Sequence, residues 1–197
     1  VCRSFGYHSI SELTMITMRT KINIVNAVMF QCCWFTAVLA STYSALIILA
    51  ISLSIYFYSL YLTEKRTPYM ALLVTGLSFV GYMGDTLIAQ QTGLIYSNSL
   101  GLFAPIWLLV LWIAFAATLE FSMKWVFMNP WITVVVGLFL VPFSYFAGIH
   151  LSNSYFLEQH SLFAFFIIEG IWWATVLLSY RAVIHYCEEY YEKSIIT

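Results

Sequence analysis

Long apolar runs separated by short polar stretches organise the chain. Residues 22–63 contain no charged side chain. A helix rises about 1.5 Å per residue and crosses the hydrocarbon core in about 20 residues, so this run is too long for one crossing. The stretch "LASTYS" at residues 39–44 is a natural turn. The pattern therefore predicts two spans, 22–40 and 43–62.

Four more apolar runs follow. The charged stretch "TEKRTP" separates the second and third, "QQTGLIYSNSLG" the third and fourth, and Asn129-Pro130 the fourth and fifth. The chain is thus predicted to be all-α, a polytopic membrane helix bundle with six transmembrane helices. The remaining spans are expected at 69–89, 103–123, 131–149 and 161–184. The transmembrane domain covers 21–185, with cytoplasmic segments at 1–20 and 186–197.

Composition supports a membrane class. Hydrophobic residues make up 62% of the chain and charged residues only 9%, with a mean hydropathy of +0.87. Soluble domains carry about a quarter charged residues, so the expected partner of this surface is the lipid bilayer. The net charge of −1 gives no reason to expect nucleic acid.

The eight basic residues predict an orientation. In the six-span arrangement all of them fall on the side of the two termini: Arg3, Arg19, Lys21, Lys65, Arg66, Lys124, Arg181 and Lys193. The positive-inside rule makes that side cytoplasmic. The initial valine suggests a bacterial GTG start read literally, and the folded protein is expected to begin near Met18. The expected location is the bacterial inner (cytoplasmic) membrane, with multiple passes.

Two carboxylates stand inside predicted spans. Asp85 lies about 24 Å into the third span from the cytoplasmic side, and Glu169 about 12 Å into the sixth from the outer side, so their depths are similar. Charged groups at membrane depth are costly. One interpretation is an outward-opening polar pocket, a candidate site lined by Asp85, Gln90, Glu169, Tyr145 and His150. The other is that Asp85 ends its helix near water while Glu169 hydrogen-bonds to a neighbouring helix.

Other polar residues have simpler interpretations. Glu120 precedes Lys124 by four residues, a favourable spacing for a helical ion pair. His150, Glu158 and His160 suggest either a metal site or, more simply, a solvated loop. Phosphate-binding, nucleophile-elbow and metalloprotease motifs are missing from the sequence. We therefore predict no metal site and no cofactor.

Three segments carry a family resemblance. "NAVMFQCCWFTAVLA" (26–40), "APIWLLVLWIAFAATLEFSMKW" (104–125) and "VPFSYFAGIHL" (141–151) together resemble the bacterial inner-membrane family catalogued as domain of unknown function 2878. The chain departs from that pattern at Glu120, Phe121, Val141 and His150. The resemblance implies a small multi-pass membrane protein, and genes of this family often lie near those of lipid-modifying methyltransferases and of oxidoreductases of envelope stress responses. The residues that carry this pattern, called the family-pattern residues, are Asn26, Gln31, Trp34, Trp107, Trp112, Thr118, Ser122, Trp125, Pro142 and Gly148.

Three function classes fit these observations. The favoured one is binding or handling of a lipid-like ligand in lipid modification or envelope stress. A small transporter using Asp85 and Glu169 is the second. The third is a structural or assembly subunit that acts through a membrane protein partner. An integral-membrane enzyme is less expected, because catalytic motifs are missing and the predicted loops are short.

Overall fold

The computed structural model describes residues 4–40, 42–63, 67–158 and 161–196. Lys65, Arg66 and His160, on which parts of the orientation and metal interpretations rest, lie outside these ranges. The all-α prediction is confirmed: seven α-helices account for most of the described chain. They are α1 (Ser4–Leu39), α2 (Thr42–Leu62), α3 (Thr67–Thr92), α4 (Ile106–Ala116), α5 (Pro130–Val135), α6 (Val141–Leu151) and α7 (Ser161–Ile196).

Five helical segments within the described residues are long and apolar enough to cross a bilayer. They cover Ile16–Leu39, Thr42–Leu62, Tyr69–Thr92, Pro130–Leu151 and Leu162–Cys187. The chain is therefore a multi-pass membrane protein. The segment expected as the fourth span differs, because its helix α4 has only 11 residues. A crossing at 103–123 thus remains a prediction.

The chain after α4 leaves the α-helical path while still buried. Residues 117–123 form consecutive turns before a 3₁₀ helix at Lys124–Phe127, and the first of them, Ala117, Thr118 and Leu119, are each 1% exposed. Irregular backbone at membrane depth is tolerated only where protein encloses it and pairs its polar groups. Here Asn26 of α1 does so: its Nδ2 donates to the Ala117 carbonyl at 3.2 Å, and its Oδ1 accepts from the Ser122 hydroxyl at 2.7 Å and the Ser122 N–H at 3.4 Å.

The helix formed by α5 and α6 contains a π-helical turn at Val136–Leu140. Pro142 lies two residues after its end and has no N–H to donate to the Leu138 carbonyl four residues earlier. That carbonyl faces α7, where a Cβ on Gly170 would lie 3.0 Å from it. One turn away, a Cβ on Gly137 would lie 2.6 Å from the Ala174 backbone. Small residues thus let the two helices approach closely at this turn.

Two short strands close one end of the bundle. Strands β1 (Leu94–Ile95) and β2 (Tyr155–Phe156) pair in antiparallel register. Gly93 precedes β1 with φ +66°, a left-handed conformation that glycine adopts without strain. Below this end, α4 lies at the centre of the bundle, with seven of its residues buried.

Candidate functional site

A cavity of about 550 Å³ lies inside the bundle. Its walls come from α1, α4, the irregular segment after α4, the π-helical turn with α6, and α7. Along α1 the lining runs from Ala27 to Val38, a length of about 17 Å at the helical rise. The cavity is therefore elongated along the spans, and aromatic rings dominate its wall: Phe30, Trp34, Tyr96, Trp107, Trp112, Phe115, Trp125, Tyr145 and Trp173.

The cavity reaches the outer surface of the bundle between α1 and α6. Gln31 of α1 and Ser144 of α6 both line it and are exposed, as is Leu140 in the π-helical turn. These residues lie in segments apolar enough to span a membrane, so the surface they share is one that a bilayer covers. Near the strand end the gap narrows, since a Cβ on Gly148 would lie 3.9 Å from the Trp34 ring.

The back wall is built from stacked indoles. Trp112 and Trp173 are parallel, with ring centroids 4.2 Å apart and planes inclined by 10°. The Trp112 ring fits against Gly81 of α3, where a Cβ would lie only 2.1 Å from the ring. The glycine therefore fixes the position of an indole that also holds a carboxylate.

That carboxylate is Asp85, whose side chain is fully buried. One of its oxygens, Oδ2, accepts hydrogen bonds from Trp112 Nε1 at 2.6 Å and from the Tyr145 hydroxyl. Both donors line the cavity. Asp85 is thus held directly behind the cavity wall rather than within it.

Glu169 lies in the same region, where the Trp173 side chain interacts with its carboxyl group without reaching the geometry of a formed hydrogen bond. It is fully buried on α7, four residues before Trp173 and so on the same helical face. Asp85, Tyr96, Tyr145 and Glu169 are close enough to interact electrostatically. Among the described residues, neither Glu169 oxygen nor Asp85 Oδ1 has a hydrogen-bond partner.

The sequence-predicted pocket residues separate into two groups. Asp85, Tyr145 and Glu169 come together at the cavity wall. Gln90 is exposed and donates from Nε2 to the Leu102 carbonyl at 2.6 Å. His150 is exposed as well, contacts the Phe146 ring at 4.2 Å between centroids, and bonds to the Phe146 carbonyl. Neither of these two residues lines the cavity.

The family-pattern residues converge on the cavity. Those that line it are Gln31, Trp34, Trp107, Trp112, Thr118, Ser122, Trp125 and Gly148. The remaining two support its walls. Asn26 forms hydrogen bonds to the irregular segment after α4, and Pro142 follows the π-helical turn. Residues scattered over three segments of the sequence therefore meet at one feature of the fold.

Sequence reasoning missed Tyr96, Ser144 and Trp173 as lining residues. Trp173 follows Glu169 by four residues, a spacing that could have placed both on one helical face. Tyr96 lies in a polar stretch between spans, and nothing in the sequence indicates that it folds into the bundle. Among the described residues there is no group of three or more His, Cys, Asp or Glu side chains suited to hold a metal ion.

Comparison with known proteins gives one result. Residues 23–184 match the model of the family described as "Protein of unknown function (DUF2878)". No curated protein and no solved structure matches the chain. Because the match covers most of the sequence, the chain belongs to this family.

Proposed function

Starting from its membership of this family, we propose that the protein binds a lipid-like molecule in the cavity between α1 and α6. The observation that carries the proposal is the shape and chemistry of that cavity. It is elongated for about 17 Å along α1, walled by aromatic rings, and open towards the bilayer beside Gln31 and Ser144. Ligand sites are typically concave and mostly apolar with a few placed polar groups.

The side opening favours a ligand that arrives from the membrane. A chain-bearing molecule can enter between α1 and α6 without leaving the hydrocarbon region. A water-soluble ligand would have to cross lipid-facing surface to reach the same entrance. The convergence of family-pattern residues on the cavity supports the same conclusion.

The proposed setting is the bacterial inner membrane with both termini in the cytoplasm. In the six-crossing arrangement, which includes a crossing at 103–123, the distribution of basic residues along the chain supports this orientation. In that setting the protein handles its ligand for membrane lipid modification or the envelope stress response. The proposal assigns it no reaction of its own.

Two serine variants test the binding proposal. Ser144→Phe places a ring in the entrance, whereas Ser54→Phe places one on the exposed face of α2, outside the cavity. Both serines are exposed and donate to a carbonyl of their own helix, at 2.8 Å in each case. Lipids retained after purification in a nonionic detergent are identified by mass spectrometry. We expect one retained species to be lost in Ser144→Phe and kept in Ser54→Phe; identical profiles would contradict the proposal.

A second candidate function is transport of a small cation or proton. The observation in its favour is the buried, unpartnered Glu169 beside Asp85, since ionisable groups in spans commonly mark ion pathways. Flux into proteoliposomes measured for wild type, Asp85→Asn and Glu169→Gln tests it. A flux abolished in both variants would favour transport over lipid binding.

A further inference from the structure

Four hydroxyl groups on cavity-lining residues share one property. They belong to Thr118, Ser122, Ser144 and Tyr145; Tyr96 also lines the cavity, and its hydroxyl is buried without a partner among the described residues. Each of the four already donates its hydrogen within the protein. Thr118 donates to the Phe115 carbonyl at 2.6 Å and Ser144 to the Val141 carbonyl at 2.8 Å.

The other two donate to side chains. Ser122 gives its hydrogen to Asn26 Oδ1 at 2.7 Å, and Tyr145 gives its hydrogen to Asp85 Oδ2. A hydroxyl has one hydrogen and two lone pairs, so all four present only acceptor sites to a ligand. The indole N–H of Trp112 donates to Asp85, and that of Trp107 donates to the Ser97 carbonyl at 3.3 Å. The lining also holds N–H donors on Gln31, Trp34, Trp125 and Trp173, so the excess of acceptors is a property of the wall around Tyr145.

The charges around the cavity also favour a ligand that donates hydrogen bonds over an anionic one. None of the described residues that line it is charged. Two carboxylates, Asp85 and Glu169, lie behind its wall, with three oxygens unpaired among the described residues. Anionic groups such as phosphate are bound by Arg, Lys or backbone N–H donors, and the described lining offers no cationic side chain.

Resting on the proposed lipid-like ligand, we infer that its head group is a hydrogen-bond donor without negative charge, a hydroxyl or a primary amine, bound at Tyr145 in front of Asp85. The phenolic oxygen of Tyr145 is the acceptor nearest to the carboxylates. Because its hydrogen is bonded to Asp85, the oxygen is a stronger acceptor than an isolated phenol. Asp85 acts as a positioning residue through Tyr145.

Three amphiphiles with the same bromine-substituted chain and different head groups test the inference. One carries a hydroxyl, one a primary amine and one a phosphate. Bromine quenches indole fluorescence on contact, so binding beside Trp112 and Trp173 is measured by titration in a nonionic detergent. Quenching of the Ser144→Phe variant gives the background from exposed tryptophans.

For the wild type we expect the hydroxyl and amine probes to bind at least about tenfold more tightly than the phosphate probe. Equal affinities, or tighter binding of the phosphate, would overturn the head-group assignment and leave chain binding intact. If no probe quenches beyond the Ser144→Phe background, the proposed function itself fails.

Two variants sharpen the assignment. Tyr145→Phe removes the acceptor and should abolish the preference for donor head groups. Tyr82→Phe is the matched control, because it also loses one buried tyrosine hydrogen bond, 2.5 Å to the Ala104 carbonyl, away from the cavity. In Asp85→Asn the amide can donate to Tyr145 and free its hydroxyl to donate, so discrimination against phosphate should weaken. Unchanged head-group ranking in Tyr145→Phe and Asp85→Asn would contradict the inference.

Discussion

Two polar sites are buried in this bundle, and they differ in how completely their hydrogen bonds are formed. Asn26 is 5% exposed and makes three hydrogen bonds to Ala117 and Ser122. Asp85 and Glu169 are each 0% exposed, yet three of their four oxygens have no partner among the described residues.

This difference indicates that the Asn26 site stabilises the fold, whereas the Asp85–Glu169 site serves function. A buried polar group stabilises a fold when its partners are present and costs free energy when they are missing. The Asn26 site completes backbone that would otherwise be unpaired inside the membrane. The Asp85–Glu169 site is compensated by hydrogen bonds only at Asp85 Oδ2, and such under-satisfied groups are expected at functional sites.

Replacing Asn26 should have the largest effect on stability. In Asn26→Leu the Ala117 carbonyl and the Ser122 N–H lose their partner, so we expect a loss of about 2–4 kcal/mol. The control is Gln31→Leu, which alters an exposed amide of the same helix. Thermal unfolding in detergent measures the stability of both variants. An equally small shift of the unfolding temperature in the two variants would contradict the stabilising role assigned to Asn26.

Substitution of Gly137, where the π-helical turn lies close to α7, should have the next largest effect on stability. In Gly137→Ala the new Cβ would lie 2.6 Å from the Ala174 backbone, and overpacking of this kind costs about 1–3 kcal/mol. Gly76→Ala meets nothing within 4 Å and should gain about 0.5–1 kcal/mol. Unfolding temperatures that shift in the same direction for both would contradict the observed packing.

Removing the Glu169 carboxyl group should change the free energy of unfolding in the opposite direction to the Asn26 substitution. Glu169→Gln removes an ionisable group that is buried without a cationic partner in the described structure, so we expect stability to be unchanged or to rise by about 1 kcal/mol. Glu120→Gln serves as the control, because Glu120 already pairs with Lys124 at 3.7 Å. A large loss of stability in Glu169→Gln would mean that Glu169 is a structural residue like Asn26.

Only a small effect is expected at the membrane-end ion pair. The Lys124 side chain is 53% exposed and that of Glu120 is 7% exposed, and ion pairs at a protein surface contribute about 0.2–1 kcal/mol. Lys124→Gln should therefore shift the unfolding transition much less than Asn26→Leu or Gly137→Ala. A shift comparable to that of Asn26→Leu would contradict this ranking.

The sequence was informative wherever one helix or one charge pattern determines the outcome. Apolar run length predicted the all-α membrane bundle, which the structure confirms. The four-residue spacing predicted the Glu120–Lys124 ion pair, which is present at 3.7 Å, although Glu120 lies in the irregular segment and not on an α-helix. The irregular path after Ala116 was not predicted, since residues 103–123 are apolar enough for an ordinary helix. Its conformation depends on Asn26, which comes about 90 residues earlier in the chain.

The site was predicted only in part for the same reason. Similar depths in the membrane suggested that Asp85 and Glu169 are neighbours, and Tyr145 joined them in the structure. Depth in the membrane does not determine the direction in which a side chain points around its helix axis. Gln90 and His150 were therefore predicted to line the pocket, although both are exposed. The cavity between α1 and α6 arises from the π-helical turn and the broken fourth segment, neither of which has a periodic signature.

A crystal structure grown in a lipid phase containing a chain-brominated lipid would test the central claim most directly. The anomalous signal of bromine locates the chains without assumptions about the ligand. We predict bromine peaks inside the cavity, beside Gln31 and Ser144 and against Trp112. Peaks confined to the outer surface of the bundle, with ordered water filling the cavity, would contradict lipid binding.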